Sequence, residues 1–145
     1  DCRGGTDNCP VNGECQEQDV VYSSEVTANT GVRRYYGSCS TTFKARYGNH
    51  VSDSNLPHRR DATTTTLSAH KWSLKDNNIN FTQTWKFEAH ERSYSPEIGY
   101  CNLCLTEKYL LNRDLKAKNL INKRREVFRK CPHRAKFLLS NCGSF

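Results

Sequence analysis

Six side chains scattered through this chain make a coherent kit for cutting a phosphodiester: Tyr22, Tyr35, Arg46, His50, Glu107 and Asn122. That hydrolysis needs an activated water, relief of developing negative charge, and help for the leaving oxygen. Glu107 can hold a hard divalent cation, Mg²⁺ or Mn²⁺, which prefers carboxylate oxygen and retains waters of its own. Arg46 can grip the scissile phosphate through paired hydrogen bonds. Tyr22 and Tyr35 can project toward the metal-bound water and the phosphate. His50, whose ordinary pKa lies near neutrality, can accept a proton or orient the phosphate. Asn122 can hydrogen-bond near the phosphate or brace the site. Each residue also has an ordinary reading. These are an exposed helix glutamate, a solvated arginine, a surface histidine, core aromatics of a hairpin, and an N-cap asparagine ahead of Lys123.

A second chemistry is written in the cysteines, of which there are eight. In a short secreted chain they would read as four disulfides. The spacing favours metal instead. Cys101 and Cys104 form a C-x-x-C pair, and Cys131 with His133 forms a C-x-H pair. Two short-range chelating pairs can close one tetrahedral zinc site with little loop entropy. Cys2, Cys9 and Cys15 surround the turn-rich Pro10-Val11-Asn12-Gly13 and suggest a second, N-terminal knuckle over residues 1–19. Its fourth ligand is open between Cys142 and a residue upstream of Asp1. Cys39 reads as a free thiol in a turn. If zinc is the correct reading, the compartment is reducing and intracellular.

The elements that must position these residues follow from periodicity. Residues 20–26 read as a strand with Val20, Tyr22 and Val26 on one face. Ala28-Asn29-Thr30-Gly31 is a turn, and 32–36 returns as a second strand that Gly37 ends. Residues 41–51 read as a helix with a buried stripe at Phe43, Tyr47 and Val51. Arg46 and His50, four apart, share a flank of it. Residues 52–65 read as a mobile polar loop, and 67–76 as a helix carrying Leu67, Trp72 and Leu74. Phe81, Trp85 and Phe87 alternate as a third strand, and 91–100 is a loop. Residues 102–112 are a helix with Glu107 in its middle. Leu120 and Ile121 re-enter the core, 123–130 is a basic helix, and Phe137, Leu138 and Leu139 make a last apolar patch. The expected class is a small α+β domain over 20–145 with zinc staples.

Composition agrees with one small, stapled domain. The chain has 145 residues, 35% of them hydrophobic, with a mean hydropathy of −0.84. So modest a core needs staples. No apolar run is long enough to span a bilayer. The net charge of +7 favours a polyanionic partner. The densest charge lies at Lys123, Arg124, Arg125, Arg129, Lys130, Arg134 and Lys136, preceded by Lys116 and Lys118. Such a segment binds phosphates in a salt-dependent manner without reading sequence. A merely solvated basic face is the ordinary alternative. Arg33, Arg34, Arg59 and Arg60 can extend the surface.

Taken in order, Val20-Val21-Tyr22, Tyr35-Tyr36-Gly37, Arg46, His50, Glu107 and Asn122 resemble the signature set of the GIY-YIG nucleases. Both name-giving signatures are degenerate here. The tyrosines and the closing glycine are kept, while Val20-Val21 and Tyr36 depart. The resemblance implies a three-stranded sheet flanked by helices, a metal-binding Glu107, and a tyrosine, the Tyr22 equivalent, as general base, with His50 as its rival. Cys9 to Cys15, Cys101-Asn102-Leu103-Cys104-Leu105-Thr106-Glu107, Cys131-Pro132-His133 and Lys136-Phe137-Leu138-Leu139 narrow it. They are similar to the endonuclease domain of Penelope-like retroelements across nearly the whole chain. That resemblance implies double-stranded DNA as substrate, a reverse transcriptase domain in the same polyprotein, a nuclear location, and a nick that primes reverse transcription. The abrupt start at Asp1-Cys2 then suits an excised C-terminal piece. A catalytically inactive, zinc-stabilised nucleic-acid-binding module is the second reading, and a secreted disulfide-rich basic protein the third.

Overall fold

The computed structural model describes residues 9–60, 65–95, 100–131 and 133, with 94, 95 and 100 described in their backbone alone. The strands β1 (Gln18–Ala28) and β2 (Gly31–Thr42) form a long antiparallel hairpin. The turn between them needs Gly31, whose φ of +125° is closed to other residues. Then come α1 (Phe43–Asn55), a 3₁₀ turn at Pro57–Arg59, α2 (Thr66–Asp76) and β3 (Phe81–His90). The two-residue strands β4 (Tyr94–Ser95) and β5 (Tyr100–Cys101) pair with each other ahead of α3 (Asn102–Asp114). A second 3₁₀ turn, Arg124–Phe128, lies near the end of the described chain. The main sheet has three strands in the order β2-β1-β3, all antiparallel. The class is α+β, as the periodicity implies.

Period two in β1 and β2 splits the core into two layers. Val20, Tyr22 and Val26 join Tyr35 and Cys39 on one face, under Phe43 of α1 and Leu67 and Leu74 of α2. Val21 and Tyr36 point the other way, against Leu103, Leu110 and Leu111 of α3. The described N-terminal segment packs onto the first layer through Val11 and Cys15. Helix α1 starts where Thr42 accepts a hydrogen bond from the Ala45 backbone, and α2 where Thr65 caps Ser68. Among the described residues no helix is long and apolar enough to cross a membrane.

Several local expectations are corrected. Strand β2 does not end at Gly37 but runs on to Thr42, which puts Cys39 within a strand. The buried stripe of α1 is rotated: Phe43, His50, Asp53 and Ser54 are buried, while Val51 is only half-buried. The aromatic cluster of Tyr22, Trp85 and Tyr35 draws the imidazole inward, so His50 is no surface residue. The 52–65 loop is partly structured, since α1 reaches Asn55 and a 3₁₀ turn follows. The basic segment 123–130 is no α-helix; only Arg124–Phe128 turns, and its flanks Lys123 and Arg129 are extended. Like charges at Arg125 and Arg129 would stack four apart in a helix. The apolar patch at 137–139 lies outside the described residues, as do Arg134 and Lys136.

Candidate active site and metal centre

The centre is built where β1 and β2 lie side by side. In the antiparallel register Tyr22 faces Gly37 on β2 and Phe87 on β3. Its ring lies over Gly37 so closely that a Cβ there would sit 2.4 Å from the Tyr22 oxygen. The glycine of the second signature therefore makes room for the tyrosine of the first, and no special backbone angle is involved. Beyond Gly37 the Tyr22 hydroxyl meets α1. It is 2.7 Å from His50 Nε2 and receives a hydrogen bond from Arg46 Nε at 3.2 Å. Arg46 and His50 reach one oxygen because they stand one turn apart on α1.

Burial sets the protonation states. His50 is 1% exposed. Burial, with Arg46 and Lys71 adding repulsion, pushes its pKa down to about 3. The imidazole is neutral at physiological pH, so one of its ring nitrogens carries a proton and the other does not, and Nε2 shares a single hydrogen bond with the Tyr22 hydroxyl. Burial also pushes the Tyr22 phenol up, while Arg46 opposes that shift. Tyr35 is buried, its ring edge-on to His50 at 5.9 Å between centroids, and its phenol is likewise pushed up by burial.

Glu107 arrives from the other side of the sheet on α3. Ser38, the residue after Gly37, points to that face and donates a hydrogen bond to Glu107 Oε2 at 3.2 Å. Burial pushes the Glu107 carboxyl up; Arg129, Ser38 and Arg46 work against it. The two faces meet at an open cleft of about 420 Å³. Arg46, Asn49, Arg129 and Lys130 bring positive charge and an amide to its walls, beside Ser38. Cys39 also lines it, as the free thiol expected. Burial pushes that thiol up to about 11, which leaves it unreactive near neutral pH.

Asn122 is not among the residues that line this cleft. Its Oδ1 accepts the Tyr36 backbone N–H at 2.8 Å, and its Nδ2 donates to the Tyr36 carbonyl at 3.0 Å. Both ends of the amide are thus spent on β2, completing a parallel bridge that begins at Arg34 and Leu120. This is the bracing role, and the N-cap of the following turn is Lys123.

The four candidate metal ligands converge as the two short pairs imply. The sulfurs of Cys101, Cys104 and Cys131 and a ring nitrogen of His133 all lie within 4.8 Å of one another. Cys104 Sγ is 3.2 Å from both Cys131 Sγ and His133 Nδ1. Three sulfurs and one imidazole at this spacing suit tetrahedral zinc. Cys101 also caps α3, its sulfur accepting the Cys104 backbone N–H. A metal here would tie the chain after Arg129 to the helix that carries Glu107 one turn on.

The N-terminal cluster differs from expectation. Cys15 is disulfide-bonded, so its sulfur has no thiolate to give a second zinc. Cys2 and Cys142, the two cysteines left to pair with it, lie outside the described residues. Cys9 is a free thiol. Burial pushes it up, but the backbone N–H groups of Val11, Gly13, Cys15 and Glu14 outweigh that and hold it below its ordinary value.

Of the basic residues, Lys123, Arg124, Arg125, Arg129 and Lys130 are exposed. Sequence reasoning missed Ser38, Asn49 and Trp85. Ser38 carried a signal, since alternation along a strand extended past Gly37 would have aimed it at the Glu107 face. Comparison of the chain with protein-family models, curated proteins and solved structures finds no match in any of the three.

Proposed function

We propose that this chain is a metal-dependent DNA endonuclease of the GIY-YIG kind, of the type attached to Penelope-like retroelements, nicking DNA to prime reverse transcription. The observation that carries the reading is the contact of Arg46, Tyr22 and His50 at one oxygen, beside a cationic cleft whose wall residue Ser38 is hydrogen-bonded to Glu107. A divalent cation on Glu107, Mg²⁺ or Mn²⁺, would supply Lewis acidity and a water of lowered pKa. Ser38 orients the carboxylate that would hold it through the hydrogen bond to Oε2.

Arg46 is the group that meets the phosphate, because it lines the cleft while Tyr22 and His50 lie beneath it. A phosphate that draws the guanidinium toward itself uncovers the Tyr22 hydroxyl. Tyr22 then holds its proton at the phenol oxygen and presents the hydroxyl to the attacking water and phosphate, while neutral His50 keeps that oxygen in place through the hydrogen bond at Nε2. On this account Tyr22 touches the reacting atoms and His50 is a positioning residue behind it. Asn122 keeps β2 in register, and zinc at Cys101, Cys104, Cys131 and His133 keeps α3 in place. The reverse transcriptase domain and the nuclear setting belong to the same proposal and rest on the family resemblance alone.

The deciding experiment is nicking of supercoiled plasmid by the purified, zinc-loaded chain with Mg²⁺ or Mn²⁺. Glu107→Gln and Arg46→Ala are each expected to slow it by about a hundredfold or more, with zinc content unchanged. The full burial of Tyr22 favours one other reading, a silent zinc-stabilised nucleic-acid-binding module. That reading wins if the wild-type chain binds DNA yet cuts neither supercoiled nor linear forms.

A further inference from the structure

The cleft at Arg46 does not end there. It abuts a second cleft, of about 390 Å³, through the shared walls Thr65 and Arg129. The second shares Thr66, Ala69 and Lys123 with a third, of about 280 Å³, which ends at Arg33 and His70. Together they form one groove from Arg46 to Arg33. Lys130, Arg129, Arg125 and Lys123 line it along the way. Glu126 is the acidic residue on its wall, and it is engaged: it accepts the Lys123 backbone N–H and a hydrogen bond from Thr66 Oγ1 at 3.3 Å.

One side chain is out of character with such a groove. Phe128 lines the second cleft and is 76% exposed, the most exposed large apolar side chain among the described residues. It belongs to neither core layer. Among the described residues, nothing in either core layer accounts for a phenyl ring exposed between Arg125 and Arg129. Exposed aromatics set in a cationic track are what unpaired bases stack on, while the charges follow the backbone. A base inside an intact duplex has both faces covered by its neighbours and offers none to the ring.

We infer that this groove holds an unpaired strand, with Phe128 stacking on a base, so that the centre's preferred DNA carries a single-stranded stretch beside the duplex. This rests on the nuclease reading and names the form of DNA that the centre accepts. Lys123, Arg125, Arg129 and Lys130 track the phosphates, and the strand's junction with the duplex falls near Arg46.

The test uses the zinc-loaded chain without added Mg²⁺, and two labelled DNAs: a blunt duplex and the same duplex with a short single-stranded flap containing 2-aminopurine. Wild type should bind the flapped DNA more tightly and quench the 2-aminopurine. Phe128→Ala should weaken flap binding by about tenfold and duplex binding by less than about twofold, and abolish the quench. Phe128→Trp should keep all three properties. Equal affinity of wild type for the two DNAs, or a Phe128→Ala variant that binds and quenches like wild type, overturns the inference. The two proposals fail separately. Flap preference that depends on Phe128, without metal-dependent cutting, sinks the nuclease reading and leaves the groove. Cutting without flap preference does the reverse.

Discussion

Replacing Gly37 with alanine is the sharpest probe of how the two signatures fit together. The new Cβ would stand 2.4 Å from the Tyr22 oxygen, 2.6 Å from Cζ and 2.9 Å from Cε2, where ordinary contact begins near 3.4 Å. The ring must retreat by about 1 Å, and it has little room. Phe43 lies 5.3 Å away between centroids, and Trp85 and His50 each 5.8 Å. Overpacking of this kind costs about 1–3 kcal/mol. Alanine stiffens the unfolded chain and returns at most about 1 kcal/mol, so the clash wins. The hydroxyl also leaves its place between His50 at 2.7 Å and Arg46 at 3.2 Å. A misplacement of about 1 Å at a reacting group can cost about a hundredfold in rate. Thermal unfolding should therefore show a lowered midpoint, and plasmid nicking a far larger relative loss than the stability change explains. In a Tyr22→Ala background the ring is gone, and Gly37→Ala should add no further destabilisation, a coupling that a double-mutant cycle measures. A Gly37→Ala chain that melts no lower than wild type and nicks within a fewfold of it would refute the packing argument.

Four further outcomes are expected. Chelation of zinc, or Cys104→Ser, should loosen the domain, because ligand binding energy is folding energy at such a site; metal analysis finding no zinc in folded protein, with these cysteines oxidised, would count against the site. His50 gives stability a pH dependence: its folded pKa of about 3 lies below its unfolded value near 6.5, so its contribution is whole above 6.5 and is lost as pH falls. By pH 4.5 that loss is roughly 3 kcal/mol, and His50→Gln should lack this part of the slope in denaturant titrations at several pH values. The same low pKa means that the pH–rate profile should carry no inflection from His50 near neutrality; one abolished by His50→Gln would show that the imidazole is not buried neutral. Arg124, Arg125 and Arg129 changed together to alanine should weaken DNA binding and reduce the salt slope by about one for each phosphate no longer neutralised, with folding intact.

Much of the scaffold was legible because it depends on neighbours in the chain. The β1–β2 hairpin follows from alternating apolar residues closed by Gly31, and the existence of α1 from recurrence every fourth residue, although its cap at Thr42 and its buried face came with the structure. The C-x-x-C and C-x-H pairs are each local, so their four donors could be named before any fold was known. What escaped depends on contacts distant in sequence. Nothing within α1 says that His50 rather than Val51 turns inward; Tyr22 and Trp85 decide it from other strands. Nothing around Asn122 reveals that its amide pairs with the Tyr36 backbone, since that partner is 86 residues away. The basic segment reads as a helix on composition, yet between the Asn122 brace and the Cys131 ligand it is held to a short 3₁₀ turn. Residue types and short-range spacing thus determined which groups are present and which can chelate. Which face each group turns to, and the burial that sets its protonation, came only with tertiary packing, because both depend on elements that the chain brings together from far apart.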